Sequence, residues 1–180
     1  FYWDYVIGVV VLAIAFAFTL GSTGSVGRGF VADIQQAEMA NVGSALLGGI
    51  IFNAANILLV AAIAIAGMSV AFPIGIGIAL IMGVVVNYIG APQGDPLLLF
   101  TGVAFIALAI ILDAVAYSKM SAGQNRVSFK GIAISVVAGV LMALFYRFVA
   151  ASMSDDFVNP EAGKLTNYSA CVVFTFGILL

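Results

Sequence analysis

A chain of 180 residues that is 64 % hydrophobic and 8 % charged, with a mean hydropathy of +1.23, excludes a soluble globular domain, which carries about 25 % charged residues. The net charge of −2 is spread thinly and does not suggest nucleic-acid binding. The absence of histidine removes the commonest metal ligand and the usual proton shuttle near neutral pH, and the single cysteine, Cys171, has no intrachain disulfide partner.

A chain of this composition needs lipid as its solvent, and in lipid the backbone is satisfied only in helices or a closed barrel. The apolar runs are continuous and about twenty residues long, without the ten-residue alternation of a barrel. The expected fold class is therefore an all-α membrane protein, a transmembrane helix bundle, integral and multi-pass in a cell or inner membrane. The chain begins at Phe1 without a charged leader and stops at Leu180 inside an apolar run that starts near Tyr168. A fragment with about six spans is the expectation.

The first span is expected from about Tyr2 to Leu20. Tyr2, Trp3 and Tyr5 cluster at its start as an interfacial aromatic belt does. Asp4 among them reads either as a carboxylate solvated at the headgroups or as one facing a pathway. GSTGSVGRG is loop, and the following residues to Ala40 form one short helix. Phe30, Ile34 and Ala37 give it a weak apolar stripe, so it is expected to lie on the membrane surface or over a pore mouth.

From Asn41 to Gly90, fifty residues carry no charged side chain. Two apolar runs meet at Gly67-Met68-Ser69, each long enough to cross a core of about 30 Å. The run from Asn41 to Ala66 starts with small residues, Gly43, Ser44, Ala45, Gly48 and Gly49, which let helices approach closely. Asn53 and Asn56 follow, three apart and so on one helical face. Each carboxamide both donates and accepts hydrogen bonds. The pair serves either as an interhelical hydrogen bond or as a binding group for a polar solute. In the run from Ser69 to Ile89, Pro73 removes a backbone donor and is expected to kink the helix, with an opening near Ser69–Val70. Gly75 and Gly77 loosen the next turn, and Asn87 and Tyr88 lie near the far end. An interrupted span points to a transporter site, or is an ordinary proline kink satisfied by its neighbours.

APQGDP at 91–96 is a tight polar turn. The fourth span is expected from Leu97 to Tyr117. Its one charge, Asp113, is either a near-interface carboxylate, paired with Lys119 or solvated, or, if it faces the interior, a proton or ion coupling site. The loop 118–130 carries Lys119, Arg126 and Lys130 and no acid. The fifth span covers 131–152, where Arg147 snorkels to the interface or faces a substrate carboxylate. An acidic loop with Asp155, Asp156 and Glu161 follows, and a truncated sixth span starts at Asn167. By the positive-inside rule the 118–130 loop is cytoplasmic, which places 21–40 and 153–165 outside and 67–69 inside.

A weak internal repeat is visible. Asp4-Tyr5 with Val9-Val10 matches Asn167-Tyr168 with Val172-Val173 at an offset of 163. Five spans separate the copies, so they face opposite ways, the pattern of an inverted-topology repeat. This predicts a ten-span whole, with one span before Phe1 and about three after Leu180.

The blocks YWDY at 2–5, GGIIFNAAN at 48–56, GMSVAFPIGIGIAL at 67–80 and VNYIGAPQGDPLLLF at 86–100 resemble the glucose/ribose porter and ureide-permease-like branch of the drug/metabolite transporter superfamily. The resemblance implies a ten-helix carrier of two inverted five-helix halves. Residues 1–117 are then spans two to five of the first repeat, 118–130 a basic connecting loop, and 131–180 the start of the second. It also implies transport of sugars or nitrogen-rich heterocycles, often coupled to protons or cations. The central loop lacks G-x-x-x-x-G-K-[ST], so direct ATP use has no support, and no nucleophile–base pair or cofactor motif points to an enzyme.

The resulting expectation is a secondary transporter of a small polar solute, a sugar or a ureide- or nucleobase-like compound. Its partners are the substrate, the bilayer and a coupling proton or cation. The substrate set is Asp4, Asn53, Asn56, Pro73, Gly75, Asn87 and Tyr88, with Asp113 for coupling. A multidrug exporter of the same superfamily is the first alternative, although its site needs a buried acid where this chain has amides. The second is a non-transporting membrane subunit, which has no use for paired amides at mid-depth.

Overall fold

The protein is described from a computed structural model covering residues 2–23, 27–90, 92, 94–120 and 128–180, with the side chains of 114 and 117–120 excepted. The middle of the basic loop, including Arg126, and the side chain of Lys119 lie outside the described residues. Seven helices follow in order: α1 (Tyr2–Phe18), α2 (Phe30–Gln36), α3 (Met39–Ala66), α4 (Met68–Gly90), α5 (Pro96–Met120), α6 (Phe129–Ser152) and α7 (Asn167–Leu179). The described residues contain no strand, only an isolated bridge between Met153 and Leu165. Four stretches, in α3, α4, α5 and α6, are long and apolar enough to cross a membrane, and α1 and α7 are shorter apolar helices. Phe105, Leu108, Ile111 and Leu112 of α5 are all exposed, as lipid-facing side chains are.

The boundary between α3 and α4 is tighter than the expected three-residue turn. Gly67 alone makes it, at φ +83°. Its N–H donates to Ile63 O at 2.9 Å, closing α3, and its carbonyl accepts from Ala71 N at 3.0 Å, opening α4. A left-handed residue at a helix C-terminus favours glycine, which lacks the Cβ that strains this conformation.

The chain forms two compact units, Phe1–Asn53 with Arg147–Leu180, and Ala54–Tyr146. In the first unit α1 packs along α7: Ala13 and Ala17 bury against Val172, beside Ile14, Phe30 and Tyr168. A Cβ on Gly21, just past the end of α1, would meet Tyr168, at the start of α7, at 2.9 Å, so the two helices run antiparallel. A second cluster joins Ala45 of α3 to Leu165, Ala170 and Val173. Here α3 crosses α7 with glycine on both sides. A Cβ on Gly49 would lie 2.8 Å from Gly177 Cα and 2.1 Å from Phe174 O, and one on Gly177 would lie 2.2 Å from Leu46 O. Ser44 adds a hydrogen bond from Oγ to Phe148 O at 2.7 Å. The small-residue half of α3 thus does what its composition predicts.

The second unit repeats the device. A Cβ on Gly139 of α6 would sit 2.5 Å from Gly75 O, and one on Gly75 would sit 2.7 Å from Leu59 Cδ1 and 3.4 Å from Ser135 O. Gly77 receives Ile110 of α5, which a Cβ would meet at 2.1 Å. The expectation of a discontinuous helix at Pro73 is corrected: α4 runs from Met68 to Gly90 with Pro73 inside it. Pro73 stands only five residues past the helix start, where the single bond it forfeits is the one to Ser69 O.

The glycine crossing in the first unit supplies a sharp test. Gly49→Val forces backbone apart and is expected to destabilise by about 1–3 kcal/mol, as overpacking does. Gly43→Ala, where nothing lies within 4 Å of the added Cβ, is expected to leave the protein unchanged. Thermal unfolding in detergent of the two variants beside wild type checks both expectations.

Candidate functional site

Asn53 is the fifteenth residue of the 28-residue α3, about 21 Å from its start at a rise of about 1.5 Å per residue. A carboxamide at that depth requires a polar partner, and the first helix supplies one: the Tyr2 hydroxyl donates to Asn53 Oδ1. Tyr2 is positioned by the first turn of α1, where its ring lies 6.3 Å from that of Tyr5. Asn53 is half-buried, and its Nδ2 retains donor capacity beyond the bond made by Oδ1. Phe52, next to it, packs on Phe174 of α7 with ring centroids 5.4 Å apart. Asp4 is exposed beside this pair. The structure therefore brings Asn53 and the aromatic start of α1 together, a meeting that neither segment foretells by itself.

The other predicted residues lie in the second unit. Asn56 is half-buried on α3. Gly75 is buried and occupied by the α6 contact described above. Pro73 is half-buried. Asn87 turns its amide back on its own helix, Nδ2 donating to Gly83 O at 2.8 Å. Tyr88 stacks edge-on against Phe100 at 5.4 Å. Asp113 is exposed on α5.

The strongest polar construction is one that periodicity does not reveal. The short helix α2 was expected to lie on the membrane surface or over a pore mouth, with Phe30, Ile34 and Ala37 as its apolar stripe; Asp33, off that stripe, is fully buried. Its Oδ2 accepts from Thr166 N at 2.7 Å and from Thr166 Oγ1 at 2.9 Å. Arg28 Nε lies 3.2 Å from Asp33 Oδ1, close enough for an ion pair although not aligned as a hydrogen bond. The guanidinium also donates from Nη2 to Glu161 O at 2.6 Å. Gln36 bridges the same two segments, accepting from Gly163 N at 2.6 Å and donating to Lys164 O at 2.9 Å. Gly163 O in turn accepts from Glu38 N at 2.8 Å and from Asn41 Nδ2 at 2.9 Å. Farther along the second loop, backbone N–H groups of Asn159 and Val158 hold the exposed Asp156 carboxyl below the usual range.

These bonds fasten the link 21–40 to the loop 153–166, so both lie at one end of this unit. The sequence offers little warning, because Asp33 and Thr166 are 133 residues apart. An acid and a glutamine three apart in a seven-residue helix are the one available cue.

The fold and these contacts define an α-helical, multi-pass integral membrane protein with uncharged polar groups set into an apolar span. The sequence profile of the ureide permease family matches residues 1–130, and the chain belongs to that family. It is 29 % identical over 133 residues to ureide permease 2 of Arabidopsis thaliana, an alignment covering 72 % of this chain and 33 % of that protein. The chain thus spans about a third of the length of this curated relative. No solved structure matches. The family is one of membrane transporters, not of enzymes. Asn53, Asn56, Pro73 and Asp33 fall inside the matched region, whereas Thr166 and Gly163 fall beyond it.

The buried carboxylate has a measurable consequence. Asp33→Ala leaves the Thr166 N–H and the Arg28 guanidinium without their acceptor and is expected to cost about 3–5 kcal/mol, the range for breaking a buried pair from one side. The check is a lowered melting temperature, together with faster proteolysis of the loop 155–162.

Proposed function

We propose that this chain is part of a secondary active transporter that moves a small, neutral, polar solute by alternating access. The solute is a ureide- or nucleobase-like compound or a sugar. The observation that carries the reading is the Tyr2–Asn53 contact, an uncharged hydrogen-bonding pair halfway along an apolar span. An exporter of organic cations needs an acid at that depth, and here the polar groups are amide and phenol. An amide donates and accepts at once, which suits hydroxyl- and amide-bearing solutes. Asn56 is assigned to the same task, with Asp4, Pro73, Gly75, Asn87 and Tyr88 completing the proposed substrate set. Asp113 is the acid assigned to coupling to a proton or cation.

The proposed architecture is ten spans in two inverted halves, divided at 118–130. Two observations support it. The helices that the internal repeat equates, α1 and α7, pack antiparallel. The links 21–40 and 153–166 meet at one end of their unit, as alternation of spans requires. Membership of a permease family supports transport itself.

The test is transport by the full-length protein. Asn53→Ala and Asn56→Ala are expected to raise the apparent KM ten- to a hundredfold, about 1–3 kcal/mol for a lost buried contact, with membrane expression intact. Tyr2→Phe is expected to act in the same direction. Asn53→Leu is expected to abolish binding at this mid-span contact, and with it uptake, without lowering the melting temperature, since no buried amide is left to satisfy. Wild-type constants with only lower melting temperatures in both alanine variants would overturn the assignment.

Orientation is tested separately, on a Cys171→Ala background. A cysteine replacing the exposed Asp155 is expected to react with an impermeant thiol reagent in intact cells, and one replacing Ser69 only after permeabilisation. The reverse pattern would invert the topology.

A further inference from the structure

The polar clamp encloses a second feature. A cleft of about 240 Å³ opens where the end of α1, the turn before α2 and the loop before α7 converge. Ser22, Arg28, Gly29, Phe157, Asn167 and Tyr168 line it, all within one compact unit. We propose that this cleft is a binding site for a small, neutral, flat solute bearing carbonyl and amide groups. It would load the carrier from the face shared by the two links. This rests on the transport reading for its purpose, but not for its geometry.

Four observations converge on that chemistry. The volume admits one small molecule of a few rings and little more. Phe157 and Tyr168 provide aromatic surface for a flat face. Asn167 is exposed, and although its Oδ1 accepts from Tyr168 N at 3.0 Å, the carboxamide nitrogen is a donor for a carbonyl. Arg28, the one charge among the described lining residues, is already countered by the buried Asp33 at 3.2 Å. An anionic ligand would have to compete with that carboxylate for the guanidinium, and a cation would face the guanidinium itself, so a neutral polar solute fits best. The walls are also held in place. Gly27 stands at φ +83° with space for no Cβ, its virtual position 2.6 Å from Phe157 O. Arg28 is tied to Glu161 O, and Ser22 Oγ donates to Ala17 O at 2.8 Å. A cleft fixed by bonds to three segments keeps its shape without a ligand, which lowers the ordering cost of binding.

Gly29 makes the proposal testable without disturbing the clamp. Its backbone is extended, at φ −67° and ψ 153°, which any residue adopts. A Cβ there would meet only Ser22 Cα, at 3.9 Å. Gly29→Ala is therefore expected to behave as wild type, and Gly29→Phe to plug the cleft while the protein unfolds at the same temperature. The probe is radiolabelled allantoin, a neutral ring ureide, offered to the purified full-length protein and to proteoliposomes. On an Asn53→Leu background, which removes the deeper contact, residual allantoin binding is expected, weakened at least tenfold by Gly29→Phe. In proteoliposomes with Asn53 intact, uptake at low allantoin is expected to fall at least tenfold in Gly29→Phe and to be unchanged in Gly29→Ala. Allantoate, the open-chain anion, is expected to compete less well.

The outcomes separate the two readings. Gly29-sensitive binding without any uptake would sink the transport reading and leave the cleft standing. Uptake and binding indifferent to Gly29→Phe would overturn the cleft and leave transport standing. The absence of allantoin binding to the Asn53→Leu protein would likewise overturn it. Stronger competition by allantoate would overturn the neutral specificity.

Discussion

The buried carboxylate of Asp33 is the constraint on which the first unit depends. Desolvating an isolated carboxylate costs many kcal/mol, so it persists only where charge and hydrogen bonds compensate. Compensation here comes from Arg28 on one side and from the Thr166 backbone and hydroxyl on the other. Each partner sits on a different segment, so satisfying one side chain fixes the relative position of the α1–α2 link and the start of α7. Gln36 and Gly163 then add bonds that are individually ordinary, each netting about 1 kcal/mol, yet geometrically available only once Asp33 is seated. A rearrangement that drew the two links apart would strand a charge as well as break hydrogen bonds. The bonds therefore hold the two links together as one body.

Within the spans, shape replaces hydrophobicity as the organising force. Lipid is as apolar as leucine, so helices gain nothing from hiding apolar surface from it and associate through close packing instead. Both units meet this requirement in the same way, with glycine opposite backbone: Gly49 against Gly177 in one, Gly139 against Gly75 in the other. This gives Gly75 a packing duty whatever its part in solute binding, since its carbonyl lies against Gly139 of α6 and a Cβ there would press on Leu59 Cδ1 at 2.7 Å. Asn87 is similarly committed to Gly83 O on its own helix. Asn53 differs from both, because its partner is a hydroxyl from another helix, and a hydroxyl can exchange one acceptor for another at small cost.

The sequence carried the helices almost to the residue, because an apolar run bounded by glycine, proline or charge has few other states in lipid. α3, α4, α6 and the start of α7 fall within two residues of their expected limits. The hairpin was legible for the same reason, although Gly67 accomplishes alone what three residues were expected to share. The clamp was not legible. An amphipathic stripe reports which side of a helix is apolar, not what covers the polar side, and the covering loop lies 133 residues away. Pro73 was legible as a lost hydrogen bond, but its consequence was overstated. Val70 N and Ala71 N bond back to Gly67 O, so the first turn is anchored beside the gap at Ser69 and the helix continues through it.

The continuity of α4 bears on the proposed substrate pathway. Discontinuous helices bring backbone dipoles to a binding site and favour ions and zwitterions, which need full or partial charges. With α4 continuous, its backbone is spent on its own helix, and the polar side chains that the sequence singles out are the Tyr2 phenol and the Asn53 carboxamide in the first unit and the Asn56 carboxamide in the second. None carries charge, and the Tyr2 hydroxyl already donates to Asn53 Oδ1. A solute whose recognition depends on charge would meet only dipoles there, weak compensation for the several kcal/mol of hydration it gives up. A neutral solute gives up less, and a few well-placed hydrogen bonds recover it. On the proposed reading, the absence of charge across residues 41–90 would itself favour neutral solutes, since it sets the dielectric cost that a permeant would have to meet.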